Sequence, residues 1–310
     1  MRIKKGRKVS GWILFNKPYE MTSTRAVSKI KYLFEAKKAG HAGTLDPLAT
    51  GMLPIALGEA TKTVPYVIES KKAYEFTICW GEERTTDDLE GDIQNISHNL
   101  PSKQDVLNIM PKYLGVIKQT PPKFSAIKIN GNRAYEFARQ NIDIELKHRE
   151  INIYKLDLKE HSANNIYSCF EVECSKGTYI RSLARDMGRD LNCYGYISKL
   201  NRSFIESFKA TTVVSLQQLT DLSPKENNKQ TSFDAIDNLL LPLDSVLKNF
   251  DNYEINSDQF VKIQNGNHIV LFNMTEASNI KTACVNYMGK IVALGLLEQH
   301  LFKPTRVFQL

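Results

Sequence analysis

Residues 40–51 read Gly40-His41-Ala42-Gly43-Thr44-Leu45-Asp46-Pro47-Leu48-Ala49-Thr50-Gly51. Three glycines and one proline in twelve residues predict a sharply shaped loop rather than a helix or strand. The apolar run at residues 52–57 follows it, so the loop should open onto a buried segment. Into this loop are set one imidazole, His41, and one carboxylate, Asp46. Taken alone, Asp46 is a turn-initiating aspartate before proline and His41 an ordinary loop histidine. A carboxylate that works as nucleophile or base must instead be ionised inside a pocket, and an arginine within hydrogen-bond reach favours that form. Arg181, preceded by Lys176-Gly177-Thr178-Tyr179, is the candidate partner; its plainer reading is a solvated member of the stripe Arg181, Arg185, Arg189.

Outward from the loop the chain reads as mixed. Residues 12–15 predict a short buried strand ended by Asn16-Lys17-Pro18. Thr22 or Ser23 then caps a helix whose apolar positions Val27, Ile30, Leu33 and Phe34 share one face until Gly40 stops it. The alternation Tyr74, Phe76, Ile78, Trp80 marks a strand with one buried face. Tyr74 is most simply core, yet a tyrosine at a pocket edge also stacks on a base. Ser102 with Asp105 begins a helix to about Tyr113, and Asn130-Gly131 is a tight-turn signal after a strand at 124–129. Strands are expected at 151–158 and 167–174. A helix follows over 178–191, with Ile180, Leu183, Ala184 and Met187 inward and the three arginines along another face. Many strands and few helices, without regular alternation or internal repeats, favour α+β over a doubly wound sheet.

Composition narrows the class. With 310 residues, 42% hydrophobic and 24% charged, the chain is no disordered or collagen-like polymer and should hold two domains. A net charge of +7 suggests a polyanionic partner without requiring one. That charge is uneven, since five basic and five acidic residues balance from Asp251 onward. A neutral module is therefore expected beyond a boundary near residue 245, after a polar surface loop at 223–232. The apolar run behind the basic N-terminus is too short for a signal segment or a membrane span, so a cytoplasmic protein is expected. Cys79, Cys169, Cys174, Cys193 and Cys284 are scattered, lack CxxC pairs and read as reduced thiols. No P-loop, dinucleotide fingerprint or HExxH motif is present, and neither metal nor cofactor is expected.

Taken together these segments resemble the TruB-type bacterial tRNA pseudouridine synthases, over nearly the whole chain. The most specific match is residues 40–51 with their continuation Met52-Leu53-Pro54-Ile55-Ala56-Leu57-Gly58-Glu59-Ala60-Thr61-Lys62. Asn16-Lys17-Pro18 with Thr22-Ser23, the Tyr74 strand, PPKFSAIKINGNRAYEFAR at 121–139 and CSKGTYIR at 174–181 agree in the same order. The resemblance implies a largely antiparallel mixed sheet in a catalytic domain at 1–245. It also implies a thumb insertion at about 124–152 and a small β-barrel RNA-binding domain of the PUA type at 246–310. It implies a cofactor-free isomerisation in which the C1′–N1 bond of the T-loop uridine 55 of tRNA is broken, the uracil rotates, and it is rejoined through C5.

By the same resemblance Asp46 is the catalytic carboxylate, Arg181 its partner, and Tyr74 the residue that stacks on the flipped uracil. Tyr179 and the backbone at Leu200 line the base pocket, and His41 fills the space the base leaves. Lys17, Lys128 and Arg133 are substrate-binding candidates, the last two in a thumb that also carries Arg139, Lys147, Arg149, Tyr135 and Phe137. The expected partner is the T stem-loop of tRNA, with no membrane and no obligatory protein partner for a monomer. Departures are Asn16 where the family often has Asp, Glu20 where it usually has Gly, Asn201 for a basic residue and Glu206 for Gly. Two other readings remain open: an RNA-binding or tRNA-folding module without essential turnover, and a guide-RNA-dependent relative. Retention of Asp46, Tyr74 and Arg181 argues against the first, and the thumb-like insert and compact tail against the second.

Overall fold

A computed structural model describes residues 6–125, 128–129, 132–133, 146–208, 213–224, 232–271 and 277–309. Its largest element is an eight-stranded sheet. The strand order is β1 (Gly11–Lys17), β3 (Thr50–Leu57), β12 (Gly195–Ile205), β4 (Lys72–Trp80), β11 (Tyr167–Cys174), β10 (Arg149–His161) and β7 (Gly115–Gln119), with β2 (Ala39–His41) alongside β3. Every pairing is antiparallel except that of β3 with β12, where Thr50 meets Asn201 and Gly51 meets Arg202. The expected α+β class with a largely antiparallel sheet therefore holds.

Strand β1 shows why its apolar run is continuous rather than alternating. Ile13 and Phe15 face a core built with Ala26, Ile30 and Leu33 of helix α1 (Ser23–Leu33). Trp12 and Leu14 face the opposite way, into a core shared with Cys284, Leu294 and Phe308 of the C-terminal part. Successive strand residues point to opposite faces, and here both faces are covered. A third core joins Phe76, Ile78 and Trp80 of β4 to Leu183, Ala184 and Met187 of the helix Ile180–Asp190. Tyr74 and Leu200 pack against both this core and the α1 core, so they lie at the seam between them.

Local expectations are met with shifted ends. Helix α1 stops at Leu33, not Gly40, because Phe34 closes its last turn and Glu35 takes a left-handed conformation with φ of 46°. Residues 40–51 are not all loop: Gly40 and His41 pair with β3, and Thr50 and Gly51 begin it. Glu20, one of the departures from the family pattern, sits at φ 60°, so the turn after Pro18 takes a left-handed conformation that favours glycine despite the side chain.

Helix α2 (Val64–Glu69) precedes β4. The Ser102–Asp105 capping box forms at the start of α3 (Lys103–Ile109), which tightens into a 3-10 turn, Met110–Tyr113, where Pro111 lacks a donor. A hairpin of β5 (Glu82–Arg84) and β6 (Ile93–Ile96) flanks the sheet. Helix α4 (Ile180–Asp190) starts two residues later than the sequence predicts, with Tyr179 at its N-cap position. Helices α5 (Leu216–Leu222) and α6 (Asp234–Asp237) add Leu219 and Ile236 to the α1 core.

Within residues 124–152, strands β8 (Lys128–Ile129) and β9 (Asn132–Arg133) pair antiparallel with Lys128 opposite Arg133. The Asn130-Gly131 turn and Tyr135, Phe137 and Arg139 lie outside the described residues. The C-terminal part is a five-stranded sheet of β13 (Asp251–Glu254), β15 (Ala277–Tyr287), β16 (Lys290–Gln299), β17 (Leu301–Val307) and β14 (Ile269–Val270), in that order, with α7 (Ser257–Gln264) packed on it. Among the described residues no helix is long and apolar enough to cross a membrane.

Gly51 sits where the parallel pairing brings two backbones together. At φ 98° a Cβ would lie 2.4 Å from Asn201 Oδ1 and 2.5 Å from the Arg202 carbonyl oxygen. Gly51→Ala should cost about 2 kcal/mol or more of unfolding free energy, from a strained backbone and a clash that only main-chain movement relieves. Urea unfolding checks this; a loss under about 0.5 kcal/mol would show that the β3–β12 contact is not held this closely.

Candidate active site

Asp46 is positioned by its loop, and the loop is tied down at four points. The Ser23 hydroxyl, one residue into α1, accepts the Leu45 N–H and donates to the Leu45 carbonyl, both at 2.9 Å. The Lys17 ammonium, fully buried at the end of β1, donates to the carbonyls of Met21 (2.6 Å), Pro18 and Pro47 (both 3.0 Å). Arg202 donates from Nη2 to the Gly43 carbonyl at 3.1 Å and from Nε to the Met52 carbonyl at 2.8 Å. The Asp46 carbonyl itself accepts the Ala49 N–H at 3.1 Å, closing a turn across Pro47. The shape the glycines and proline permit is thus locked by three side chains from β1, α1 and β12.

The carboxylate meets Arg181. Nη2 of the guanidinium donates to Asp46 Oδ1 at 3.1 Å, and Nε lies 2.9 Å from Oδ2, an ion-pair contact whose N–H has no aligned acceptor. Arg181 also donates from Nη1 to the Thr86 carbonyl at 2.9 Å and from Nη2 to the Phe124 carbonyl at 3.0 Å, and Asp88 Oδ2 lies 3.6 Å from its Nε. Its side chain is 6% exposed, whereas that of Asp46 is 34% exposed. The arginine is therefore the buried anchor and the carboxylate the accessible group. Burial opposes the charge on Arg181, but the carboxylates of Asp46, Asp88 and Asp87 outweigh it and hold the guanidinium above its ordinary range.

The pair opens onto a cleft of about 610 Å³, within the span usual for small-ligand sites. Tyr74, Tyr179, Leu200 and His41 line it. Burial pushes the Tyr74 hydroxyl up, against the pull of Arg202, so the phenol stays neutral near pH 7. Burial likewise raises Tyr179, whose ring also faces the Arg149 guanidinium at 5.6 Å. Lys72, Lys176, Arg181 and Arg202 line the cleft against Asp46, the one carboxylate among its described lining residues. A site with this balance attracts a polyanion while presenting one basic oxygen donor.

The structure brings together Asp46 and His41 of the 40–51 loop, Tyr74 of β4, Tyr179 and Arg181 at the start of α4, and Leu200 of β12, four separate segments. Lys17 departs from its expected role as a substrate contact: its ammonium is spent on three carbonyls beneath the loop, and it does not line the cleft. Lys128 and Arg133 face each other across the β8–β9 pair, and their side chains lie outside the described set. The stripe Arg181, Arg185, Arg189 is not a solvated face. Arg185 is buried too, with Nη1 3.1 Å from Asp87 Oδ2, and the half-exposed Arg189 side chain pairs with Glu83. Helical spacing could not show this, because the acids come from residues 46 and 83–88.

Sequence reasoning also missed Arg202, Lys72 and Asp88. Arg202 lies directly opposite Tyr74 in the β12–β4 register. Lys72 donates to the carbonyls of Val67, Ile68 and Ser70, and burial lowers its pKa to about 8. A lysine two residues before Tyr74 shares its face of β4, the one signal that would have marked it.

Comparison with known proteins fits this arrangement. Residues 31–180 match the family model of the TruB family pseudouridylate synthase N-terminal domain, and residues 181–248 that of the tRNA pseudouridylate synthase B C-terminal domain. The chain is 50% identical to tRNA pseudouridine synthase B of Mesorhizobium japonicum over 98% of both chains. It is 48% identical to the protein of that name from Bartonella bacilliformis, over 98% of this chain and 97% of the other. The chain belongs to the TruB family of pseudouridylate synthases. The fold is shared more widely. A chain in the structure of an H/ACA RNP bound to a substrate RNA containing 2′-deoxyuridine superposes with a TM-score of 0.71 at 20% identity, covering 97% of this chain and 85% of that one. A Cbf5-Nop10-Gar1 complex gives 0.71 at 22% identity over 96% and 84%.

The loop clamp has a pH signature. Burial lowers Lys17 from 10.5 to about 8, only partly countered by Asp46. Between about pH 8 and 10.5 the folded chain sheds this proton while the unfolded chain keeps it, so the contribution of Lys17 to unfolding free energy rises with pH. The stability difference between wild type and Lys17→Met, from denaturant melts at about pH 7 and about pH 9.5, should shift toward wild type at the higher pH. A difference that is flat or falls would contradict a charged, desolvated clamp.

Proposed function

We propose that this chain is a tRNA pseudouridine synthase that isomerises uridine 55 in the T loop of tRNA. The observation that carries the reading is the ion pair Arg181–Asp46 at the wall of an electropositive cleft of about 610 Å³ with Tyr74 beside it. The near-50% identity to proteins named tRNA pseudouridine synthase B supports the same reading. A base cannot be detached inside a stacked loop, so the uridine is flipped into the cleft, at a cost of a few kcal/mol. Stacking on the neutral Tyr74 ring returns about 1–3 kcal/mol, and His41, on the cleft wall, fills the vacated position in the loop.

Asp46 then acts on the bound nucleotide. Its carboxylate supplies the electron pair or takes the proton that allows the C1′–N1 bond to break, the freed uracil turns within the pocket lined by Tyr179 and Leu200, and C5 bonds to C1′. The proton lost from C5 reaches N1 of the product, so the net change is an isomerisation with no redox partner or cofactor. Arg181 keeps Asp46 aimed throughout, because its own position is set by the carbonyls of Thr86 and Phe124.

The remaining assignments extend this reading. Lys128 and Arg133 in the thumb contact RNA phosphates, and the sheet beyond about residue 245 is a PUA-like RNA-binding domain. The enzyme acts as a monomer in the cytoplasm. A tRNA-folding role is compatible with it, since opening and releasing a T loop assists refolding.

An unmodified tRNA transcript incubated with the purified protein and no added cofactor, then labelled with a carbodiimide that stays on pseudouridine and mapped by mass spectrometry, should show one new pseudouridine, in the T loop. Asp46→Asn keeps an oxygen acceptor for Arg181, so tRNA affinity should stay within a few fold while product formation disappears. Substantial residual turnover would remove Asp46 from its role. Single-strand phosphate contacts each contribute about −0.7 to the slope of log affinity against log salt. Neutralising Lys128 and Arg133 together should flatten the slope by about 1.4, and an unchanged slope would take the thumb out of the interface.

A further inference from the structure

Strand β7 ends at Gln119, whose residue is 1% exposed although it lies at the edge of the large sheet. Its side-chain amide is used twice on one backbone unit. Nε2 donates to the Tyr179 carbonyl at 3.0 Å, and Oε1 accepts the Tyr179 N–H at 2.9 Å. The side chain thus pairs with Tyr179 as a neighbouring strand would, 60 residues away in sequence. Tyr179 is also the residue from which α4 begins, and its own side chain does not cap that helix. Helix starts without a capping side chain leave amide groups to be satisfied by other means.

The residues after Gln119 continue the attachment. The Thr120 carbonyl accepts from Ser182 Oγ and from Arg185 Nη2, both at 2.9 Å, and the Phe124 carbonyl accepts from Arg181 Nη2. Residues 119–124 are therefore tied to the first two turns of α4 by five hydrogen bonds from four residues of that region. Neither the proposed chemistry nor base stacking uses the Gln119 amide directly.

We infer that Gln119 is a positioning residue: its amide fixes Tyr179 in the cleft wall and the start of α4, so that Arg181 meets Asp46 in register. Glutamine suits the task because one planar group offers a donor and an acceptor side by side. A carboxylate offers acceptors alone, and a hydrocarbon offers neither. The inference rests on the proposed isomerase reading and adds a residue to that site.

Single-turnover pseudouridine formation on a T stem-loop, with enzyme in excess and at a temperature well below the melting point of every variant, tests it. Gln119→Leu should lower the rate constant by about 10- to 100-fold, as small misplacements of reacting groups do, while RNA affinity changes less than about threefold. Combined with Arg181→Lys, its loss should be less than multiplicative, since both act through one pair. Gln119→Glu supplies a readout that a merely structural role would not move, and it carries the test if the leucine variant does not fold. The buried acid protonates as pH falls and then presents a donor and an acceptor again, so its rate relative to wild type should rise from about pH 8 to about pH 6. Equal rates for wild type and Gln119→Leu, fully multiplicative losses, or a pH-independent ratio for Gln119→Glu would overturn the inference. An inactive wild type would instead overturn the isomerase reading on which it rests.

Discussion

A guanidinium buried to 6% exposure beside a carboxylate that is one-third exposed is the constraint around which the molecule is arranged. A buried cation stripped of its partners costs several kcal/mol, so Arg181 requires acceptors from every side. They come from Asp46, from Asp88, and from the carbonyls of Thr86 and Phe124. Three segments far apart in sequence are thereby drawn to the start of α4. What they leave open is the face of Asp46 that meets the cleft. The charge that neutralises the arginine is also the group presented to a substrate, which joins stability and chemistry in one interaction.

The sheet supplies the frame. Tyr74 and Leu200 lie where two hydrophobic cores meet, and the parallel step between β3 and β12 sets Arg202 against both Tyr74 and the Gly43 carbonyl. Lys17, Ser23 and Arg202 then hold the backbone on both sides of Asp46. Lys17, Ser23 and Arg202 are all buried. The cleft is a cavity among packed elements.

Much of this was legible in the chain. The 40–51 loop, the alternation from Tyr74 to Trp80, the capping box at Ser102 and the inward face of α4 all follow from local chemistry. Asp46 and Arg181 were legible as a pair only through the family resemblance, since residue types and spacing alone read them as a turn aspartate and a surface arginine. Long-range partners were not legible. Arg185 reads as a surface residue until Asp87 arrives from a loop 98 residues away. Lys17 reads as a substrate contact until three carbonyls converge on it. Helix ends shifted for the same kind of reason: α1 yields at Glu35, which takes a left-handed conformation that no glycine signalled. Periodicity reports which face is buried, and only tertiary structure reports what a buried charge meets.

The central claim is that Asp46, aimed by Arg181, acts on a uridine drawn out of its loop. A crystal structure of the protein with an unmodified T stem-loop bound tests it most directly. The account predicts a single uridine turned out of the RNA, its ring against Tyr74 and its sugar against the free face of the Asp46 carboxylate, with Arg181 still on the other face. A uridine left stacked in its loop, or a flipped base whose sugar lies beyond hydrogen-bond reach of Asp46, would contradict it.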